Sequence, residues 1–130
     1  ESELAEIQPV LEEARKAVGS IRQDNLNEIR ALKMPPEAIH DVLYGVLLLM
    51  GGSDSSWNAM KKFLSGAGVI QRVLNFDARK ISLRAREEVE RLLEERGRSF
   101  EDSVIRRASL AAAPLALWVK ANVRYSRVVE

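Results

Sequence analysis

Apolar residues recur at intervals of three and four positions over most of the chain, which is the spacing of an amphipathic α-helix. Over residues 1–33 this spacing predicts one long helix with a coiled-coil seam. Two apolar series overlap there, so two packing registers or one wide apolar face would account for the pattern equally well. The first series contains Leu4, Leu11 and Val18, the second contains Val10 and Ala17, and both contain Ile7, Ala14 and Ile21.

Shorter helices follow, each marked by residues that start or end it. Pro35 and Pro36 favour a helix start, because proline suits the first helical turn, and Gly51–Gly52 favours the end of that helix. The stretch SDSS at 53–56 predicts a cap for a further helix that begins near Trp57.

Two caps and one interruption are predicted in the second half of the chain. Asp77 would cap a long helix that Gly97 closes, and the stretch SFED at 99–102 has the form of a capping box. A final apolar series over 104–122 predicts one helix. Within it, Pro114 would remove a backbone donor and produce either a fixed kink or a weakened joint.

No stretch alternates strictly between apolar and polar residues, so the fold class expected is all-α. We expect an antiparallel coiled-coil hairpin formed by residues 1–34 and 114–130. A small globular bundle of about six short helices, residues 35–113, would cap it. Because the first strand is the longer one, much of residues 1–16 would lack a partner in this chain.

The composition narrows the classes of function. The 20 Lys and Arg residues nearly cancel the 19 Asp and Glu residues, and the net charge of +1 does not favour nucleic-acid binding. The chain has no cysteine and one histidine, whereas zinc sites need clustered ligands. It has no nucleotide-binding glycine motif, and no apolar run approaches the roughly 18 residues of a membrane span. We therefore expect no catalytic residue, cofactor, metal or membrane partner.

Two local features qualify this picture. Residues 57–80 hold five basic side chains and only one acidic side chain, Asp77, so the centre of the chain is basic. The stretch RRAS at 106–109 resembles a site for a basophilic protein kinase, but its place inside the predicted last helix argues against phosphorylation.

The chain begins with Glu1, which we take as a sign that it is part of a longer intracellular protein.

Several stretches, in this order and spacing, resemble the microtubule-binding tip of dynein heavy chains. They are PPEAIHDVLYGVLLLMGG, NFDARKIS and RRASLAAAPLALWVKANVRYS, and the leading ELAEIQPVLEEARKAVGSI resembles the distal stalk of that family. The resemblance covers essentially the whole chain. Its wording is most similar to the second cytoplasmic class, the intraflagellar-transport dyneins.

The resemblance implies a stalk that projects from a ring of ATPase modules and binds the α/β-tubulin heterodimer at its tip. In the family, sliding between the stalk strands links tubulin affinity to the nucleotide state of the ring. The isolated fragment would be a monomer, and the parent heavy chain a dimeric, ATP-driven motor. The expected locations are the cytoplasm, the cytoskeleton and the axoneme of cilia.

The resemblance also implies which residues meet the microtubule. In the family a Lys or Arg stands where this chain has His40, and imidazole is only partly protonated at pH 7. Arg107 matches a family arginine that contacts tubulin, Lys61 matches a basic position, and Arg72 lies in the short third tip helix. The full set is His40, Lys61, Lys62, Arg72, Arg106 and Arg107. The alternative function is a helical adaptor or dimerisation domain whose first helix pairs with another chain.

Overall fold

The computed structural model describes residues 2–66 and 68–129, and within them the fold is all-α, as predicted, with eight α-helices and no strand. Two short 3₁₀ turns, Ala78–Lys80 and Gly97–Phe100, lie before and after the sixth helix. The helices are α1 (Ser2–Gly19), α2 (Gln23–Arg30), α3 (Glu37–Leu49), α4 (Trp57–Ser65), α5 (Val69–Leu74), α6 (Leu83–Glu95), α7 (Asp102–Ala108) and α8 (Ala113–Val129).

Helices α1 and α8 form an antiparallel hairpin. Glu6, near the start of α1, pairs with Arg124, near the end of α8, at 3.5 Å. At the other end of the hairpin, Ala17 and Ala113 line the same hollow. The two helices have 18 and 17 residues, so they match in length. The expectation that much of residues 1–16 would lack a partner is therefore wrong.

The side of α1 that faces the core identifies which apolar series is packed. Ile7, Ala14 and Val18 are fully buried. Leu11, which belongs to the first series, is partly buried against the same core. Val10, from the second series, is 37% exposed. The hairpin therefore packs through the first series and the shared residues.

The prediction of one unbroken helix over 1–33 is wrong, because the chain leaves the helix between Gly19 and Gln23. The Ser20 hydroxyl donates to the carbonyl of Ala17 at 2.6 Å, which satisfies a group at the end of α1. The Asn25 side chain then accepts from the Arg22 backbone N–H at 2.9 Å and starts α2. The apolar spacing also shifts at this point, after Ile21.

Helix α3 is the centre of the globular end, with Val42 and Val46 fully buried. A Cβ on Gly45 would lie 3.3 Å from Val119 of α8, so glycine permits the close approach of the two helices. The predicted end of α3 is confirmed: Gly51 has a φ of +99°, and the N–H of Gly52 bonds to the carbonyl of Leu47 at 2.8 Å.

The predicted caps have mixed outcomes. Ser56 caps α4 as expected and accepts from the N–H of Ala59 at 3.1 Å. Asp77 caps only the 3₁₀ turn that follows it, whereas α6 begins later, with Ser82 as its cap. The capping box at 99–102 is wrong, because Ser99 lies inside the second 3₁₀ turn and its hydroxyl bonds elsewhere.

The predicted last helix is two helices. The backbone of Ser109 is extended, and α8 begins only at Ala113. Pro114 therefore lies in the first turn of α8. A backbone N–H there would have no acceptor within the helix, so proline costs no hydrogen bond and its ring fits without strain. It marks a helix start and not a kink. Ala112 is fully buried in the turn, so its small side chain lets the chain pass through the core there.

Candidate functional site

The three cations expected on the second and third tip helices lie together. Lys61 and Lys62 follow each other on α4, and Arg72 is on α5, which packs against α4. The Arg72 guanidinium lies over the Phe63 ring at 5.3 Å from its centroid, and its Nη2 donates to the Phe63 carbonyl at 3.4 Å. Arg72 is thus held in place, while Lys62 points into solvent.

The two arginines of α7 differ in their partners. The Nε of Arg106 donates to Asp102 Oδ2 at 2.7 Å, one turn earlier on the same exposed face. Arg107 is exposed and makes no hydrogen bond or ion pair with any residue that the structure describes. It is therefore the cation of α7 whose charge is available to another molecule.

Helix α3 separates these two groups. It packs against α4 on one side and against α7 on another, and over residues 2–66 and 68–129 α7 comes close to neither α4 nor α5. His40 lies near the start of α3. The structure thus brings Lys61, Lys62 and Arg72 into one group, places Arg106 and Arg107 in a second, and leaves His40 on the helix between them.

His40 is anchored to the backbone. Its Nε2 lies 2.8 Å from the carbonyl oxygen of Ser55, just before α4. Because a carbonyl only accepts, the bond requires a proton on Nε2. Its Nδ1 is 3.5 Å from Asp41 Oδ1, and a third of its side chain is exposed. His40 therefore fixes the segment before α4 relative to α3.

A buried polar network near His40 was missed by sequence reasoning. Asp41 is 5% exposed and accepts from the Ser99 hydroxyl at 2.6 Å and from Arg96 Nε at 2.9 Å. Arg96 also pairs with Glu37 at 2.6 Å. The hydrogen bonds that Arg96 donates raise its pKa above the ordinary value, and the bond to Glu37 has a larger effect than the bond to Asp41. Asp41 shares a helix face with Ala38 and Gly45, and a carboxylate at such a position was the available signal.

The α2–α3 connection is fixed from α4. The indole Nε1 of Trp57 donates to the carbonyl of Leu32 at 2.9 Å. Met34, two residues further on, is 88% exposed. The hydrogen bond of Trp57 thus fixes the connection before α3, and that of His40 fixes the segment before α4. Both bonds help to position α4 and its cations.

The described residues hold no group of three or more His, Cys, Asp or Glu side chains that could bind a metal ion. None of the helices in the described part of the chain is long and apolar enough to cross a bilayer. The groups that the site presents are exposed cations on a helical frame, among them Lys62, Arg72 and Arg107.

Comparison with known proteins identifies the family of the chain. The family model described as the microtubule-binding stalk of dynein motor matches residues 1–129. The chain belongs to this family. This dynein stalk is 55% identical over its whole length to cytoplasmic dynein 2 heavy chain 1 of Chlamydomonas reinhardtii. It is 54% identical to the protein of that name from Homo sapiens over 98% of the chain.

A more distant relative and a solved structure agree. The cytoplasmic dynein heavy chain of Dictyostelium discoideum is 30% identical over 99% of this stalk. A solved structure of the microtubule binding domain of dynein-C superposes with a TM-score of 0.84 at 26% identity, covering 98% of this stalk and 90% of that chain. The stalk spans only 3% of the length of the heavy chains that it matches.

Proposed function

We propose that this stalk is the microtubule-binding end of a heavy chain of the cytoplasmic dynein 2 kind. In this proposal residues 35–113 form the tip, and residues 1–34 and 114–130 are the two stalk strands. The tip binds the acidic surface of the α/β-tubulin heterodimer through the two groups of cations beside α3. The family match over residues 1–129 is the observation that carries the proposal.

The availability of the cations supports the choice of binding residues. Arg107 and Lys62 are exposed and make no ion pair with any described residue. A partner that supplies carboxylates could form ion pairs with these two cations without first breaking an ion pair within the chain. Arg107 is therefore assigned the main contact on the α7 side and Lys62 the main contact on the α4 side, with Lys61, partly buried beside Lys62 on the same helix, adding to it.

The remaining three residues have weaker roles in this proposal. Arg72 presents its guanidinium from a fixed position on Phe63, which reduces the entropy lost when it meets a carboxylate. Arg106 would have to exchange Asp102 for a tubulin group. His40 adds charge only when protonated, and its hydrogen bond to Ser55 gives it a positioning role as well.

The wider setting is proposed from the relatives. Affinity for the microtubule would follow the register of α1 and α8, and ATP hydrolysis would occur elsewhere in the parent heavy chain. The fragment alone would be a monomer and the parent protein a dimer. From the names of the relatives we infer a location in the cytoplasm, on the cytoskeleton and in the ciliary axoneme.

The adaptor function is not favoured. The apolar series of α1 that would pair with a second chain already packs against α8, since Ile7, Ala14 and Val18 are fully buried. What α1 leaves exposed includes Val10 and charged residues, which is a poor coiled-coil seam.

Co-sedimentation of the purified chain with microtubules over a series of salt concentrations tests the proposal. Binding should weaken steadily with salt, because exposed charges are screened over about 8 Å at physiological ionic strength. Sedimentation of the chain alone should show a monomer. A stable dimer that ignores microtubules would instead establish the adaptor function.

A further inference from the structure

The stretch RRAS at 106–109 acquires a different meaning once the end of α7 is known. Helix α7 stops at Ala108, and Ser109 has extended backbone angles, φ −165° and ψ 122°. The serine therefore lies in the connection between α7 and α8. Because it is not inside a helix, the objection that the sequence raised against phosphorylation no longer applies.

The surroundings of Ser109 suit a protein kinase. The next residue, Leu110, is 72% exposed, and Arg106 and Arg107 before it are exposed as well. Kinases bind their substrates as extended chain, so the last turn of α7 has to open. That helix has only seven residues, and short helix ends open at little cost in free energy.

We propose that Ser109 is a phosphorylation site for a basophilic serine/threonine kinase and that the phosphate switches off microtubule binding by Arg107. In the reaction, Ser109 Oγ attacks the γ-phosphorus of ATP. A new Oγ–P bond forms, the bond to the β-phosphate oxygen breaks, ADP leaves, and the hydroxyl proton passes to the kinase's base. This inference rests on the proposed function, because it assigns a consequence to the Arg107 contact.

The effect on binding follows from charge. A phosphoserine carries about −1.5 to −2 charges at pH 7, which cancels the charges of the two arginines within the preceding turn. Arg106 lies three residues and Arg107 two residues before the serine, so both guanidinium groups are near it along the chain. The phosphate would compete with Asp102 for Arg106 and would neutralise the field of Arg107.

The hydrogen bonds at Ser109 fix where the phosphate would lie. The hydroxyl now accepts from the N–H of Ala112 at 3.2 Å, close to the start of α8. A phosphate there meets backbone donors at the N-terminal end of a 17-residue helix. The hollow beside it also contains Asn25 and Glu28 of α2, and the Glu28 carboxylate would repel the phosphate toward the arginines.

The test begins with the purified chain, the catalytic subunit of a basophilic kinase, and ATP. Peptide mass spectrometry should find one phosphoryl group on Ser109, and none in the Ser109→Ala variant. The phosphorylated chain should then bind microtubules about tenfold more weakly or worse, which corresponds to ~1.4 kcal/mol. Absence of phosphate on Ser109, or phosphate with unchanged affinity, would overturn the inference while leaving the proposed function intact.

Charge-mimicking variants separate a local effect from a general one. Ser109→Glu should weaken binding, whereas Ser53→Glu, which adds the same charge in the exposed loop after α3, should not. In a double-mutant cycle with Arg107→Gln, the two losses should be less than additive, because both act on one contact. Fully additive losses would overturn the assignment to Arg107. If the unmodified chain fails to bind at all, the proposed function and the switch fall together.

Discussion

Arg96 and Asp41 join the end of α6 to the beginning of α3, with Arg96 Nε 2.9 Å from Asp41 Oδ2. Asp41 also accepts a hydrogen bond from the hydroxyl of Ser99, so one buried carboxylate connects three segments. Since α3 separates the two groups of cations, the position of both groups depends on this carboxylate.

Replacing Asp41 should destabilise the tip. Asp41→Ala removes two hydrogen bonds and leaves the buried Ser99 hydroxyl without an acceptor, at a cost of about 2–4 kcal/mol. Urea denaturation measures this loss. Glu87→Ala, at an exposed position on α6, is the matched control and should change the free energy of unfolding by no more than about 0.5 kcal/mol. Equal stabilities for the two variants would contradict a structural role for Asp41.

Arg107 should be needed for binding but not for folding. Arg107→Glu replaces an exposed cation that pairs with no described residue by an anion, so binding should weaken by about 2 kcal/mol or more and be nearly abolished. The melting temperature should stay near that of the wild type. Lys16→Glu makes the same charge change on an exposed face of α1 and should bind nearly normally. A wild-type affinity for Arg107→Glu would refute the contact.

His40 should respond differently to two substitutions. His40→Lys supplies a permanent charge and retains a donor for the Ser55 carbonyl, so binding at pH 7 should tighten, and the gain should shrink with salt. His40→Ala loses that hydrogen bond, and the free energy of unfolding should drop by about 1 kcal/mol. Weaker binding by His40→Lys would show that the position does not tolerate a cation.

Asp77 should titrate at unusually low pH. Hydrogen bonds from the Arg79 side chain and backbone hold the pKa of Asp77 below its ordinary value of 3.8. The folded state thus favours the carboxylate, and its stabilising contribution is complete above pH 3.8 and is lost as pH falls through the lower, folded-state pKa. Carboxyl NMR titration should show Arg79→Gln raising the pKa of Asp77 part of the way back. Asp54, whose pKa is lowered by hydrogen bonds from Ser56, should not move.

The register of the hairpin can be fixed with cysteines, since the chain has none of its own. Cysteines in place of Glu6 and Arg124 would hold the register seen here, in which those side chains meet. Cysteines in place of Val10 and Arg124 shift one strand by four residues, about 6 Å along the helix. A disulfide tolerates Cα separations of up to about 7 Å, so each pair selects a register.

Both cysteine pairs should oxidise if α1 can use either apolar series against α8. Microtubule affinities of the two oxidised forms should differ by about tenfold or more, a difference of ~1.4 kcal/mol. Reduction of the disulfides should remove the difference and serves as the control. If the Val10 pair never oxidises, the second series is simply the edge of a wide apolar face.

The features that sequence predicted correctly depend on local chemistry. Ser56 caps α4 and Gly51 ends α3 because the bonds involved reach only a few residues along the chain. The break at Ser109 was missed because apolar spacing continues across it, and the break after Gly19 was missed because Ile21 prolongs the apolar series of α1 before the spacing shifts. Ile21 and Ala112 stay buried although neither is helical, so a periodic pattern persisted where the helix did not.

The exposure of Lys62 and Arg107 could be predicted from sequence, since charged side chains seldom lie in a core, whereas their part in binding stays a prediction. The bond from Arg96 to Asp41 spans 55 positions and the bond from Ser99 to Asp41 spans 58. Such pairings depend on how the helices pack and leave only an indirect trace in the sequence.

The two helix breaks at the base of the tip have a mechanical consequence. The first strand leaves the helix after Gly19, and the second enters α8 at Ala113, close to Ala17 across the hairpin. A rod of two paired helices is stiff, whereas short non-helical joints bend easily. We expect a load carried along α1 and α8 to reach α2 and α7 through these two short joints, so that bending is concentrated there and not within the paired helices.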